Sequence, residues 1–204
     1  MTDWFEELYA AADKGEATVP WDLGAPSRQL TRWAADKGLS GTGRSALVVG
    51  CGLGRDAEYI AGLGFDTTAF DISPTAVATA RRRYPDSAVR YLTADLLDPP
   101  PAWERAYDLV VESMTVQSLP DGYRPTAIAN VGRLVAPDGT LVVLAAARDE
   151  ADGPVDGPPW PLTRAEVDAF ATGGLRPVDV EELDDPVYPG IRRWQAEFRR
   201  APAG

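Results

Sequence analysis

The chain has 204 residues, 45% hydrophobic and 25% charged, the size of about one domain and enough to bury about 70% of its unfolded surface without a staple. A single cysteine, Cys51, excludes an internal disulfide and a Cys-rich zinc site, and the lack of any histidine removes the commonest metal ligand and the Ser-His-Asp and Cys-His nucleophile systems. The net charge of −11, with Lys14 and Lys37 the only lysines, argues against a nucleic-acid or anionic-membrane partner, because such binding rests on Lys and Arg neutralising phosphates.

The start, Met1-Thr2-Asp3-Trp4-Phe5-Glu6-Glu7, lacks the basic and apolar regions of a signal peptide. The most apolar stretch, Leu141 to Ala147, is far short of the ~20 residues that span a bilayer. A cytoplasmic protein is expected. A first helix is marked by Trp4, Phe5, Leu8, Tyr9 and Ala12 and ends near Gly15. A loop to Ala25 precedes a second helix from Pro26 to Gly38, with Leu30, Trp33 and Ala34 on its apolar face. Strands are predicted at 45–50, 65–70, 88–92, 107–111 and 140–147, with helices at 54–63, 74–84 and 123–134 between them. Pro137-Asp138-Gly139 reads as a tight turn. A loop from Arg148 to Pro161, a helix from Thr163 to Ala171 and an antiparallel pair (175–183 and 191–199) complete the chain. Residues 149–188 hold 11 acids and two arginines, a local net of −9. Strands alternating with helices indicate an α/β fold with a parallel sheet. The expected organisation is one domain, 1–204, with a helical cap at 1–40, a core at 45–147 and an acidic loop, helix and strand pair at 148–204.

The sharpest motif is Leu47-Val48-Val49-Gly50-Cys51-Gly52-Leu53-Gly54-Arg55-Asp56, a strand entering a glycine turn that opens a helix. Glycines let a ligand approach the main chain, and a helix start adds amide donors. The spacing is G-x-G-x-G, one residue short of the G-x-G-x-x-G that dinucleotide phosphates favour. Asp71 ends the second strand, 17 residues beyond Gly54, where a carboxylate can accept hydrogen bonds from both hydroxyls of a ribose. Ser73 serves better than Asp71 as cap of the helix that follows. Asp95, just after the third strand, is placed to meet an exocyclic amine. Glu112 ends the fourth strand.

Together these residues resemble the class I S-adenosylmethionine-dependent methyltransferases. The glycine turn, Asp71, Asp95, Tyr107-Asp108-Leu109-Val110-Val111 and Leu134-Val135-Ala136-Pro137-Asp138-Gly139-Thr140-Leu141 follow that family's order and spacing over roughly residues 20–147. The resemblance implies a Rossmann-like α/β fold, a seven-stranded, mostly parallel sheet whose last strand is antiparallel, with helices on both faces and an N-terminal helical cap. It implies S-adenosyl-L-methionine as cofactor, its amino-acid end at Gly50, Cys51, Gly52 and Gly54, its ribose at Asp71, and its adenine between Ile72 and Asp95-Leu96. Many members carry an acid where Val48 stands, so the cofactor's ammonium must meet backbone carbonyls or another acid: Asp22, Asp56 or Glu112. Pro20-Trp21-Asp22-Leu23-Gly24-Ala25-Pro26 upstream of Gly-Cys-Gly-x-Gly-Arg-Asp is similar to the thiol, halide and thiopurine methyltransferase group. By that likeness Trp21 packs on cofactor and substrate and Asp22 fixes the segment. Glu112-Ser113-Met114-Thr115-Val116-Gln117 departs from the group's pattern.

Methyl transfer from a sulfonium is an in-line displacement that mainly needs proximity and alignment. A thiolate needs little base, whereas an alcohol or phenol more often needs one near pH 7. A chain without histidine therefore favours sulfur in a small-molecule acceptor. The alternatives are an O- or N-methyltransferase of natural-product metabolism and a non-catalytic protein that binds the cofactor or its product. A nicotinamide oxidoreductase is disfavoured by the glycine spacing and by lysines that both precede the sheet. Glu112 is the candidate for orienting cofactor or acceptor. Trp160, in Gly157-Pro158-Pro159-Trp160, is the best aromatic candidate for the substrate. Cys51 is read as a small turn residue, its thiol open to activation at the helix start. Arg81-Arg82-Arg83 suits the end of a helix dipole. No metal is expected, and the protein is expected to be a monomer or a homodimer.

Overall fold

Runs such as Ala46-Leu47-Val48-Val49 become strands with no polar face, as befits a parallel sheet covered on both sides. The computed structural model describes residues 3–152, 157–185 and 188–202. Its elements in chain order are α1 (Asp3–Asp13), α2 (Arg28–Asp36), β1 (Ser45–Val49), α3 (Arg55–Gly62), β2 (Asp66–Asp71), α4 (Pro74–Arg83), β3 (Arg90–Thr93), β4 (Tyr107–Ser113), α5 (Arg124–Leu134), β5 (Val135–Ala146), α6 (Arg164–Asp168), β6 (Leu175–Asp184) and β7 (Arg192–Arg200). The strands form a seven-stranded sheet in the order β3-β2-β1-β4-β5-β7-β6, the sheet expected from the sequence. Among the described residues no helix is long and apolar enough to cross a membrane. The chain divides into two compact units, Met1–Asp95 and Leu96–Gly204.

In the first unit β2 pairs in parallel with β1 and β3, with Val48 opposite Ala69 and Asp71 opposite Thr93. The second helix begins later than Pro26 suggests. Ser27 is its cap, accepting the Leu30 N–H on its hydroxyl, because a side-chain acceptor settles an orphan amide that proline cannot. Ser73 caps α4 in the same way, with Pro74 in the first turn. Helix α1 is tied to α4 by polar contacts between residues far apart in sequence. Glu6 accepts from the Ser73 and Thr75 hydroxyls and the Thr75 N–H. Burial raises the Glu6 carboxyl, but those hydrogen bonds outweigh it and hold the group below its ordinary range. Tyr9, Val19 and Ala76 form a small apolar cluster, with Phe5, Ala12 and Leu53 packed against it.

The arginine triplet does more than complement a helix dipole. Arg81 donates to the Tyr91 carbonyl, Arg82 pairs with Asp13, and Arg83 pairs with Asp22 at 3.0 Å. Sequence spacing of 61 or 69 residues gives no hint of these partners.

In the second unit β4 and β5 are parallel, and β7 is antiparallel to both β5 and β6. The predicted turn at 137–139 lies inside a strand that starts at Val135, earlier than Thr140. Tyr107 faces Val135 and Leu109 faces Thr140, so β5 gains extra residues there. Asp138 takes a φ of 58°, and a side chain on Gly139 would sit 2.8 Å from the Ala136 carbonyl. Pro137-Asp138-Gly139 therefore makes a bulge within the strand rather than the predicted tight turn ahead of it. Helix α6 starts with a capping box between Thr163 and Glu166. Of the predicted acidic loop at 148–161, residues 153–156 lie outside the described residues.

Candidate functional site

Three glycines with positive φ build the turn after β1: Gly50 at 60°, Gly52 at 50° and Gly54 at 91°. These angles strain any residue with a Cβ. Space is short as well. A Cβ on Gly54 would lie 2.5 Å from the Tyr91 hydroxyl, and one on Gly52 would lie 2.8 Å from the Tyr9 hydroxyl. Cys51 bridges the turn to β2 through its N–H, which donates to the Phe70 carbonyl at 2.8 Å.

Asp71 reaches back to this turn. Its Oδ2 accepts the Gly52 N–H at 2.8 Å, and its Oδ1 accepts the Ser73 N–H at 3.0 Å. The side chain is 6% exposed. Burial pushes the carboxyl above its ordinary value, partly offset by hydrogen bonds from the Ser73, Gly52 and Ile72 amides. Ser73 is the cap of α4, so Asp71 is released from that task, as the sequence suggested. Two carboxylate oxygens offer about four acceptor sites, so capacity remains for a ligand hydroxyl. Ile72, next in the chain, is half-buried.

The Cys51 thiol departs from expectation. The start of a helix normally favours thiolate, yet here burial dominates and the nearby Asp71 charge adds to it. Both push the thiol well above its ordinary value. Cys51 is therefore an inert filler of the turn rather than an activated thiol.

The segment before α2 is fixed over the same turn. Asp22 pairs with Arg55 at 2.5 Å, at the first residue of α3, and with Arg83 at 3.0 Å. Burial raises its carboxyl, but the hydrogen bonds from Arg55 and Arg83 prevail and lower it. Asp56 accepts the Ser27 N–H at 2.7 Å. Asp22 and Asp56, two of the three acids considered for a ligand ammonium, thus hold protein groups. Trp21 is 42% exposed. It lies in an aromatic cluster with Trp4, Phe5 and Tyr9, and its indole N–H donates to the Tyr9 hydroxyl at 2.9 Å. Burial and the charge of Asp71 push the Tyr9 phenol upward, so it stays protonated and keeps one donor of its own. Tyr9 and Glu6 were not singled out in the sequence as site residues, and nothing beyond the helical stripe could have found them. Asp95, the last residue of the first unit, is exposed.

In the second unit Leu96 is buried, and its carbonyl accepts from Asn130 Nδ2 at 2.9 Å. Glu112 is 0% exposed. Its Oε1 accepts the Thr115 and Val116 N–H groups at 2.8 and 2.9 Å, while Oε2 has no partner among the described residues. Burial raises this carboxyl to about 7, against those two hydrogen bonds. Trp160 is half-buried under Arg124, whose guanidinium stands 5.9 Å from the ring centre, and its N–H donates to the Gln117 carbonyl. Its neighbours Pro159 and Pro161, rather than the indole, line a cavity of about 440 Å³.

Residues 46–139 match the methyltransferase domain family. "Probable thiol methyltransferase 2" of Arabidopsis thaliana is 30% identical over 89% of this chain and 79% of its own length. The 2-heptyl-1-hydroxyquinolin-4(1H)-one methyltransferase of Mycobacteroides abscessus is 23% identical over all of this chain and 94% of its own. Among solved structures, the N-methyltransferase NodS from Bradyrhizobium japonicum in complex with S-adenosyl-L-homocysteine superposes with a TM-score of 0.69 at 22% identity, covering 96% of this chain and 98% of that one. A strained glycine turn and a buried carboxylate suit the cofactor of this family. The chain belongs to the S-adenosylmethionine-dependent methyltransferases and uses S-adenosylmethionine as its cofactor.

Proposed function

We propose that the protein methylates the sulfur of a small-molecule thiol. The observation that carries this reading is the likeness to a thiol methyltransferase over 89% of the chain. The histidine-free composition supports it, since a thiolate needs the least help from a base. When bound, the cofactor supplies an electrophilic methyl group on a sulfonium. The residues of the chain bind and orient. Main-chain groups of Gly50, Cys51, Gly52 and Gly54 receive the amino-acid end, Asp71 accepts from the ribose hydroxyls, and Ile72, Asp95 and Leu96 bound the adenine. Trp21 shields the reacting end of the cofactor from water.

Glu112 holds the cofactor's ammonium in this reading. Support comes from elimination: Asp22 and Asp56 are occupied, whereas Glu112 Oε2 has no donor among the described residues. An ammonium there repays the cost of burying a carboxylate. The acidic charge supports a partner that is neither nucleic acid nor membrane. We read the protein as a cytoplasmic monomer or homodimer, with its lone thiol suited to a reducing compartment.

The test is transfer of labelled methyl to thiophenol, phenol and aniline, matched in shape. Thiophenol should exceed phenol in kcat/KM by about a hundredfold or more, the usual worth of a missing base. Equal or better methylation of phenol or aniline would overturn sulfur. Methylation of oxygen or nitrogen in a heterocycle is the second reading, favoured by the relative that matches the whole chain. Cofactor binding without any turnover would point to a non-catalytic binder.

A further inference from the structure

The cavity in the second unit lies beyond the carboxyl ends of β4 and β5, where open α/β sheets bind ligands. Met114 and Gln117 follow β4, Ala146 and Ala147 end β5, and Gly190 to Arg193 close it from the turn into β7. Among the described residues no carboxylate lines it. Its polar side chains are donors. Gln117 is 0% exposed. Its Oε1 accepts the Ala146 N–H at 2.6 Å, which fixes the amide's orientation, and its Nε2 has no partner among the described residues. A buried donor left unsatisfied costs about 1–3 kcal/mol, so a core glutamine held this way calls for an acceptor from outside the chain. Arg193 is anchored through Nε to Asp185 at 2.5 Å, and its Nη1 donates to the weak acceptor Met114 Sδ at 3.5 Å. Met114 itself has a φ of 64°, strained for a residue with a side chain. Such strain gathers at ligand sites.

We propose that this cavity is the acceptor subsite, and that Gln117 and Arg193 select a small thiol carrying an anionic or carbonyl oxygen. This rests on the sulfur reading above and narrows its substrate class. Size argues in the same direction. About 440 Å³ lies within the roughly 300–1,000 Å³ of clefts that hold organic ligands. A halide or other single small ion, little larger than a water of about 30 Å³, would leave most of it to solvent. Cationic amines are disfavoured, because the described lining offers donors from Gln117, Arg192 and Arg193, the charge of the two arginines being offset by Asp149, Glu182 and Asp185 behind them.

The experiment titrates the protein saturated with S-adenosylhomocysteine with 2-mercaptobenzoate, thiophenol and 2-aminoethanethiol, in parallel with methyl transfer to each. 2-Mercaptobenzoate should bind at least about tenfold more tightly than thiophenol, the worth of one satisfied buried donor. The aminothiol should bind weakest. Gln117→Glu keeps an acceptor for the Ala146 N–H and replaces the free donor by an acceptor, so it should remove the preference while leaving S-adenosylhomocysteine affinity unchanged. Arg193→Met should weaken 2-mercaptobenzoate alone. Equal binding of the two aromatic thiols, or a preference untouched in Gln117→Glu, would overturn the proposal without touching cofactor binding. Loss of S-adenosylhomocysteine binding in the wild type would instead remove the reading on which it rests.

Discussion

Glu112 is the residue whose chemistry is most exposed to test. Its carboxyl ionises at about 7 in the fold and near its ordinary 4.5 in the unfolded chain. Between those values the folded state binds more protons, so stability falls as pH rises from about 4.5 to 7 and then levels off. Glu112→Gln should therefore be more stable than wild type at pH 8, by up to about 3 kcal/mol, and little different at pH 4. Thermal melts across that range check it, and parallel curves would refute the buried ionisation. Pairing with a ligand ammonium should also deprotonate the group, so calorimetry near pH 6.5 in buffers of different ionisation heat should show proton release on S-adenosylhomocysteine binding. Gly54→Ala should cost about 2 kcal/mol or more, because its φ of 91° and the Tyr91 hydroxyl both oppose a Cβ. A melting temperature unchanged within a degree would show that the turn relaxes freely.

Elements differ in how far their roles could be read from the chain. The glycine turn, β2 ending in Asp71 and the Ser73-Pro74 start of α4 are local signals, each carried by a few neighbouring residues. The start of α2 at Ser27 and the bulge in β5 shifted by a few residues, because capping and strand register are settled by partners in space. Glu6, Arg55 and Arg83 were not foreseen as ties because their partners stand 33 to 69 residues away. Gln117 stood in the sequence only at the end of the Glu112 to Gln117 segment that departs from the thiol methyltransferase pattern. Its free amide appears once the Ala146 N–H is seen to fix the other end. The Asp22 tie between the N-terminal segment, α3 and α4 makes a prediction of its own. Its lowered carboxyl contributes stability above its unfolded value of about 3.8, and that contribution is lost as pH falls through the depressed folded value. Asp22→Asn should lose part of this tie at neutral pH and expose the segment from Lys14 to Ala25 to proteolysis. Limited digestion at Lys14 at the wild-type rate would show that the ion pairs hold nothing.

At the scale of the molecule, the parallel pattern of short apolar strands was sufficient for the sheet, and the order and spacing of its acids were sufficient for the cofactor. The cavity was not legible there, because it draws Met114, Gln117, Ala146 and Arg193 from separate stretches of chain. The central claim is that the turn and Asp71 receive S-adenosylmethionine in this protein. It is tested most directly by calorimetric titration with S-adenosylhomocysteine of the wild type, Asp71→Ala and Asp71→Asn, each checked for an intact melt. Micromolar binding by the wild type, weakened by about tenfold or more in both folded variants as expected for lost hydrogen bonds to a charged group, is the predicted result. Equal affinity across the three proteins would contradict it and place the cofactor's ribose elsewhere.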